Sequence, residues 1–171
     1  MNYASAGVAG LPHLVAEMFR TAAGIDGNHI PYRGAAPATL DVMAGRADFM
    51  FNNIVSAMPG IRDGRLRALA VTTRDRDAAL PEVPSLYELG YTSIDVSGWY
   101  GLLAPAGTGP AIVARLNAEL SRILGDADVI RSLRTEGMRP MGSTPEDFRR
   151  RIRQDAAGWA AVVRAAGITA D

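Results

Sequence analysis

Cysteine and lysine are both absent from this 171-residue sequence, and histidine occurs only at His13 and His29. Without cysteine, the chain has no disulfides, no thiolate metal ligands and no cysteine nucleophile. Two histidines are too few for a histidine-rich metal site. The glycines from Gly7 to Gly10 do not complete a dinucleotide fingerprint, and a Walker-type loop is missing. We therefore expect no metal and no cofactor.

An excess of charge is missing as well, because 18 basic residues, all arginine, balance 18 acidic ones. The isoelectric point is about 6.7, so the sequence lacks the electrostatic attraction on which non-specific nucleic-acid binding depends. We expect no nucleic-acid partner.

Long apolar runs are also missing, since Arg, Asp or Gly interrupts each run well before it reaches membrane-spanning length. Met1 is followed by polar Asn2 and Tyr3, and not by the basic and apolar segments of an export signal. As the sequence stands, we expect neither membrane insertion nor secretion. The 48% hydrophobic content suits a globular core.

The first half of the chain alternates extended and helical patterns. Strands are predicted at residues 1–4, 29–32, 47–51 and 66–73, with a further extended stretch at 93–103. Gly24 and Gly45 end the helices that follow the first two strands. Strands separated by helices of this length predict an α/β fold with a mixed, mostly parallel sheet flanked by helices.

The second half of the chain has a helical pattern and no strands of its own. Two apolar stripes recur at helical spacing, one along residues 112–124 and one along residues 148–163. Residues 143–147 form a helix start, with a capping hydroxyl, a proline and two acidic residues.

Three loops follow the first three predicted strands, at residues 5–10, 33–36 and 52–53. In a parallel sheet these loops meet at one edge, beside helix starts whose free N–H groups favour an anion such as a carboxylate. Gly7, Gly10 and Gly34 would let the backbone approach the ligand, and Ser5 would add a hydroxyl donor. Arg33 either pairs with the ligand carboxylate or is simply solvated.

A catalytic role for these loops is disfavoured by the sequence. Ser5 does not lie in a G-x-S-x-G elbow, and His13 has no evident acid to orient it, so a hydrolase triad is not predicted. We expect His13 to be a locally bonded helix residue and not a general base. Trp99 and Tyr100 fit either the wall of a cleft or a buried hinge.

Five segments, in this order, resemble the substrate-binding receptors of tripartite tricarboxylate transporters, the Bug or TctC-like family. They are NYASAGVAGLPHLVAEMF from Asn2, HIPYRGAAPATLDVMAGRADFMF from His29, GRLRALAVTT from Gly64, LPEVPSLYELGY from Leu80 and WYGLLAPAGT from Trp99. The match extends over almost the whole chain.

The resemblance implies a type II periplasmic-binding-protein-like fold with two lobes that close on a small organic acid and then dock on membrane permease subunits. It implies no catalysis. Residues 1–97 correspond to the second, ligand-binding lobe, and residues 98–171 to a hinge return strand and C-terminal helices of an incomplete first lobe. The family is periplasmic, whereas the chain would be cytoplasmic if Met1 is its true start.

The resemblance also indicates which residues face the ligand. The first loop has Ala9 and Gly10 where the family usually has a glycine followed by a hydroxyl residue, so ligand identity or affinity would differ. The ligand-side residues that it implies are Ser5, Gly7, Val8, Ala9, Gly10, His13, Tyr32, Arg33, Gly34, Ala35 and Asn52.

The export signal and most of the first lobe that family members carry have no counterpart here. The apolar stripes of the C-terminal helices would then lack the sheet that they cover, and exposed stripes of that size favour association. We expect self-association into a homo-oligomer, or repacking of these helices onto the second lobe. The alternative function is a truncated or cytoplasmic oligomeric α/β domain without transport activity.

Overall fold

The computed structural model describes residues 1–169. Its first part alternates strands and helices: β1 (Asn2–Ser5), α1 (Leu11–Ala23), β2 (Asn28–Pro31), α2 (Ala35–Met43), β3 (Phe49–Met50) and α3 (Ile54–Arg62). Three more helices follow a long irregular segment: α4 (Pro110–Leu124), α5 (Ala127–Thr135) and α6 (Pro145–Ala165). This order of elements confirms the predicted α/β class.

The sheet has the strand order β2-β1-β3, and both strand pairs are parallel. Strand β1 lies in the centre because its residues Tyr3, Ala4 and Ser5 are all buried. Helix α1 ends at Gly24, whose φ of +62° is the left-handed conformation that glycine adopts readily. The chain can therefore return beside β1, and the carboxyl ends of all three strands lie at one edge.

The two faces of the sheet are covered differently. Ala4 packs with Ala38 and Ala47 on the side of α2, where small side chains let the helix approach closely. A larger cluster lies beneath α1 and joins its Val15 to Leu86, Ile94 and Val96, with Trp159 of α6 packed against it. The irregular segment is thus held to the sheet domain by apolar burial.

The prediction of a fourth strand at 66–73 is wrong over most of its length. Exposed and half-buried residues alternate there as in a strand, but the only bridge in the described part of this segment joins Val71 to Ser85. The sequence therefore predicted the alternating exposure of these residues correctly. They form no β-ladder, because no neighbouring strand offers a continuous row of backbone partners to residues 66–70.

The extended stretch predicted at 93–103 likewise forms no ladder. Val96 donates its backbone N–H to the Thr72 carbonyl, and the Thr72 hydroxyl donates to the Val96 carbonyl. Residues 97–107 that follow are all exposed. Trp99 anchors this segment to α6, since its indole donates to Asp155 at 2.7 Å and its ring contacts Phe148 edge-on.

The C-terminal helices begin as predicted, with the Thr144 hydroxyl capping α6 through the Asp147 N–H. None of the residues of α4, α5 or α6, which span 110–165, is buried. Helix α6 nevertheless lies against α1, whereas the apolar stripe of α4 is open, with Ile112 58%, Leu116 43% and Ile123 42% exposed. Across residues 1–169, each helix is too short or too polar to cross a bilayer.

Candidate carboxylate site at the sheet edge

The first two candidate loops lie side by side at the carboxyl edge of the sheet. Tyr32 donates its backbone N–H to the Ser5 carbonyl at 3.0 Å, and Gly34 donates to the Ala6 carbonyl at 3.1 Å. The third loop follows the neighbouring strand β3, which pairs with β1. The structure therefore brings all three predicted loops to one edge.

The first loop has an unusual backbone. Gly7 has a φ of +144°, and a Cβ placed there would lie 3.7 Å from the Tyr32 carbonyl. Among the described residues, Ala9 is the sole non-glycine with a positive φ, at +57°. Gly34, in the second loop, has a φ of +111°. These conformations turn both loops sharply into the helices that follow.

Three helices begin at this edge without a side-chain cap. Their N-cap residues are Gly10, Gly34 and Asn53, and none of them bonds its helix through a side chain. Gly109 at the start of α4 is also uncapped, whereas Asp126 caps α5. Pro12 and Pro37 in the first turns of α1 and α2 have no N–H, and the Ser56 N–H bonds the Asn53 carbonyl. The other first-turn N–H groups of these helices are left for solvent or for an anion, which the positive end of each helix dipole attracts.

Ser5 lies beneath the first loop and is fully buried, at 0% exposure. Its Oγ is 2.6 Å from His29 Nε2, accepts the Gly7 N–H at 3.2 Å and lies 3.0 Å from the Gly7 carbonyl. The hydroxyl predicted to contact the ligand is therefore engaged within the protein and supports the loop from below.

His13 and His29 form a stacked pair under the same loop, with ring centroids 3.7 Å apart and planes 9° apart. His13 is buried, and its Nδ1 accepts the Ala9 N–H at 3.1 Å, which confirms that it is bonded locally. Burial lowers the pKa of His13, and burial together with the nearby His13 lowers the pKa of His29 to about 4. Both imidazoles are therefore neutral near pH 7.

A second polar group adjoins the histidines. The Tyr3 hydroxyl and the Arg20 guanidinium both donate to the Glu17 carboxylate, and the Arg20 contact is 2.9 Å. Burial of the Tyr3 hydroxyl and its hydrogen bond to Glu17 raise the pKa of Tyr3. Burial alone would raise the pKa of Glu17, but the hydrogen bonds from Arg20 and Tyr3 outweigh it and hold that pKa below its usual value. Glu17 is thus ionised, fully paired and structural.

The remaining candidate ligand-side residues of the first two loops differ in solvent exposure and in hydrogen bonding. The Tyr32 hydroxyl donates to Asp41 at 2.7 Å, so it is held by α2, the helix that follows its loop. Arg33 is exposed and forms no ion pair with any residue in the described range 1–169. Val8 is exposed beside Gly7, and Ala35 is the first residue of α2.

The third loop is fixed by side-chain amides. Asn52 donates to the Thr39 hydroxyl at 3.1 Å, and its carbonyl oxygen accepts the Asn53 N–H at 2.9 Å. Asn53 in turn donates to the Tyr100 hydroxyl at 3.2 Å. The third loop is therefore joined both to α2 and to the exposed segment that follows Val96.

His29 and Asn53 are site residues that the sequence-based selection of side chains missed. The signal for His29 was its place in β2 directly opposite Tyr3 in the parallel register, which puts both on the α1 face. Asn53 was predicted only as part of its loop, and its contact with Tyr100 depends on the tertiary return of the chain.

The Ser5–His29 contact resembles a nucleophile and base, a pair that the sequence did not predict. Ser5 Oγ is fully buried, however, and the low pKa of His29 makes it a weak base. The nearby carboxylate, Glu17, is committed to Tyr3 and Arg20. Within residues 1–169, no cluster of three or more His, Asp and Glu residues could hold a metal ion.

The three-stranded parallel sheet, its flanking helices and its edge loops define an α/β protein with the fold of solved periplasmic binding proteins. The sequence profile described as "Tripartite tricarboxylate transporter family receptor" matches residues 1–168. The chain belongs to this receptor family, as the sequence resemblance predicted.

Three relatives illustrate this membership. Protein BugT of Bordetella pertussis is 36% identical over 91% of this chain and 48% of its own length. The structure of R. palustris Rpa4515 with adipate superposes with a TM-score of 0.94 at 32% identity, covering 99% of this chain and 56% of that one. MatC from Rhodopseudomonas palustris, with bound malate, has a TM-score of 0.83 at 31% identity, covering 95% and 56%. The chain thus spans about half the length of these relatives.

Proposed function

We propose that this chain is the carboxylate-recognising part of an extracytoplasmic solute-binding receptor, which binds a small organic acid for a tripartite tricarboxylate-type transporter without transforming it. The observation that carries the proposal is the meeting of three helix starts without side-chain caps at one sheet edge. Such an edge offers several N–H donors and three positive dipole ends to one anion. Membership of the receptor family supports the same function.

The proposed ligand contacts divide by what each loop offers. The backbone N–H groups of Val8 in the first loop and of Ala35 in the first turn of α2 would donate to carboxylate oxygens, because those of Ala9, Gly10 and Gly34 bond His13 Nδ1, the Gly7 carbonyl and the Ala6 carbonyl. Arg33 would supply the positive charge for a second carboxylate, since it is exposed and free of ion pairs over residues 1–169. The residues that hold these loops in place are Ser5, His13, Tyr32 and Asn52 through their side chains and Gly7 through its backbone.

We also propose the division of the chain that the resemblance implied. Residues 1–97 hold the sheet and the candidate site, and residues 98–171 would form the return segment and helices of a first lobe. This division is supported by the loss of burial after Val96 and by the absence of buried residues from α4, α5 and α6, all within 110–165. Docking to permease subunits and a periplasmic location belong to the same proposal.

Binding of dicarboxylates is the direct test. Adipate and malate, found in the related structures, should bind in calorimetric titrations at pH 7.5. Because one lobe buries one side of the ligand, we expect a Kd on the order of 0.1–1 mM. Adipamide, which has the same chain without the charges, is the matched control and should not bind. Equal binding of adipamide, or no binding by any acid in a broad panel, would contradict the proposal.

A second candidate function, an oligomeric α/β domain without transport activity, is favoured by the open apolar face of α4. Ile112, Leu116 and Ile123 line one side of this helix and are 42–58% exposed. Leu116 also borders an open groove of about 2710 Å³ that reaches the exposed segment after Val96. Apolar surface of this kind favours association with a second copy.

Native mass spectrometry measures this association. We expect a dimer at about 20 μM protein, and we expect Leu116→Glu to shift it at least tenfold toward monomer, because a charge would be buried at the interface. Leu89→Glu is the matched control, since Leu89 is similarly exposed outside α4. A wild-type chain that stays monomeric at 100 μM would contradict self-association, and a dimer that also binds dicarboxylates would show that self-association at α4 is compatible with ligand binding at the sheet edge.

A further inference from the structure

The stacked histidines are linked, one directly and one through Ser5, to two backbone positions of the first loop that have a positive φ. His13 Nδ1 accepts the N–H of Ala9, the residue with a φ of +57°. His29 Nε2 bonds Ser5 Oγ at 2.6 Å, and that oxygen accepts the N–H of Gly7, which has a φ of +144°. His13 thus holds Ala9 directly, and His29 holds Gly7 through the Ser5 hydroxyl.

These bonds require a particular protonation state. An imidazole nitrogen that accepts an N–H must carry a lone pair, so His13 is neutral with its proton on Nε2. The Ser5 proton goes either to His29 Nε2 or to the Gly7 carbonyl, and in both cases Ser5 links His29 to Gly7. Protonation of His13 removes the acceptor for Ala9, and protonation of both rings places two positive charges 3.7 Å apart.

The groups facing the pair come from β1, α1 and the turn before β2. Tyr3 stacks on His29 with centroids 5.1 Å apart. Glu17 attracts a proton to the pair, but it already accepts hydrogen bonds from Tyr3 and Arg20. A shallow surface pocket of about 340 Å³ adjoins the histidines, and residues 166–169, which follow α6, line it and carry no charged side chain. Asp26 acts on Arg20 and so stands one step further from the rings.

We propose that His13 and His29 are positioning residues that hold the Ser5–Gly10 loop in its ligand-binding shape, and that protonation of this pair releases the loop and weakens carboxylate binding. The inference rests on the proposed function, because the loop held by the pair is one of the loops assigned to the ligand. The two imidazoles act through the backbone and do not touch the ligand.

The pH range in which carboxylate binding weakens follows from the burial of the two imidazole rings. Burial lowers the pKa of both histidines below the ordinary value, to about 4 for His29. The held loop therefore keeps both rings neutral below about pH 6.5, the ordinary pKa of histidine, whereas in a released loop the rings would take up protons there, so the held loop loses stability as the pH falls from about 6.5 toward about 4. Affinity is high above about pH 6.5 and declines toward about pH 5.

Two matched variants separate the hydrogen bond from the stacking. His13→Phe keeps a flat ring against His29 and removes the acceptor for Ala9, whereas His13→Asn places an amide oxygen near the position of Nδ1. In adipate titrations at pH 7.5 we expect His13→Phe to bind about fivefold to tenfold more weakly, the effect of one lost hydrogen bond, and His13→Asn to stay within about twofold of wild type. Equal affinity of His13→Phe and wild type would overturn the positioning role.

The pH profile uses the ratio of the wild-type Kd to the His13→Asn Kd, since adipate itself takes up protons in this range. We expect this ratio to rise at least threefold from pH 7.5 to pH 5, because the asparagine acceptor does not titrate. A ratio that stays constant over this range would overturn the proposed switch.

A ligand-free measurement keeps this inference separate from the proposed function. In ¹⁵N NMR spectra of the wild-type chain, the amide signals of Ala9 and Gly7 should titrate together with the ring nitrogens of His13 and His29. In His13→Asn, where His29 alone still titrates, the Ala9 signal should shift with pH by less than half as much as in the wild type. If no carboxylate binds but these signals titrate together, the proposed function fails and the positioning role stands. If the amide signals ignore the rings, the positioning role fails.

Discussion

Replacement of Tyr3 by alanine is expected to lower the free energy of unfolding by about 4 kcal/mol, the range for removing a large buried aromatic side chain. Tyr3 is 2% exposed in the central strand, and its ring stacks on His29 and Phe49. Its hydroxyl also donates to Glu17. The substitution would therefore leave a cavity beneath the first loop and remove a partner from a buried carboxylate.

Urea denaturation followed by circular dichroism measures this loss, and two controls assign it. Tyr3→Phe keeps the ring and should cost only about 1–2 kcal/mol, the effect of the hydroxyl. Tyr100→Ala removes a tyrosine that is 76% exposed and should change stability by no more than about 0.5 kcal/mol. A Tyr3→Ala loss below about 1 kcal/mol would show that the sheet centre is not packed as described.

Replacement of Gly34 by alanine is expected to weaken dicarboxylate binding at least tenfold. Gly34 is the N-cap of α2 with a φ of +111° and a ψ of 171°, a region that only glycine adopts freely. An alanine there would cost about 1–3 kcal/mol in strain or force the loop to shift. A shift would turn the first N–H groups of α2 away from the proposed ligand.

The matched control is Gly90→Ala, measured by the same adipate titration. Gly90 also has a positive φ, +95°, and at both glycines an added Cβ would meet no protein atom within 4 Å. Gly90 lies outside the edge loops, so its substitution should lower stability by a similar amount and leave the Kd within about twofold of wild type. Comparable losses of binding in both variants would show that the weaker binding results from reduced stability of the fold, and would contradict a ligand site at α2.

The predictions from sequence were most accurate where the signal was local. The end of α1 at Gly24 and the cap of α6 by Thr144 each depend on residues within one or two turns, so pattern and capping chemistry were sufficient. The convergence of three loops also followed from sequence, because parallel connection alone brings the carboxyl ends of neighbouring strands to one edge.

The predictions failed where a residue depends on distant partners. Residues 66–73 have the period of a strand, but strand formation requires a neighbour, and only Val71 finds one. Ser5 was predicted as the first residue of the loop after a strand at 1–4, whereas it ends β1 and its hydroxyl bonds His29, which is 24 positions away. The contact between Ser5 and His29 could not be inferred without the register of β1 and β2.

The sequence by itself determined the family, the α/β class, the edge at which the loops meet and the absence of cysteine chemistry. Tertiary structure alone decided that His13 and His29 stack, that Ser5 lies beneath its loop and that the apolar face of α4 remains uncovered. The physical reason is that composition and periodicity report each element's own preferences. The partner of a hydroxyl, a ring or an apolar face is set by which elements the fold brings together.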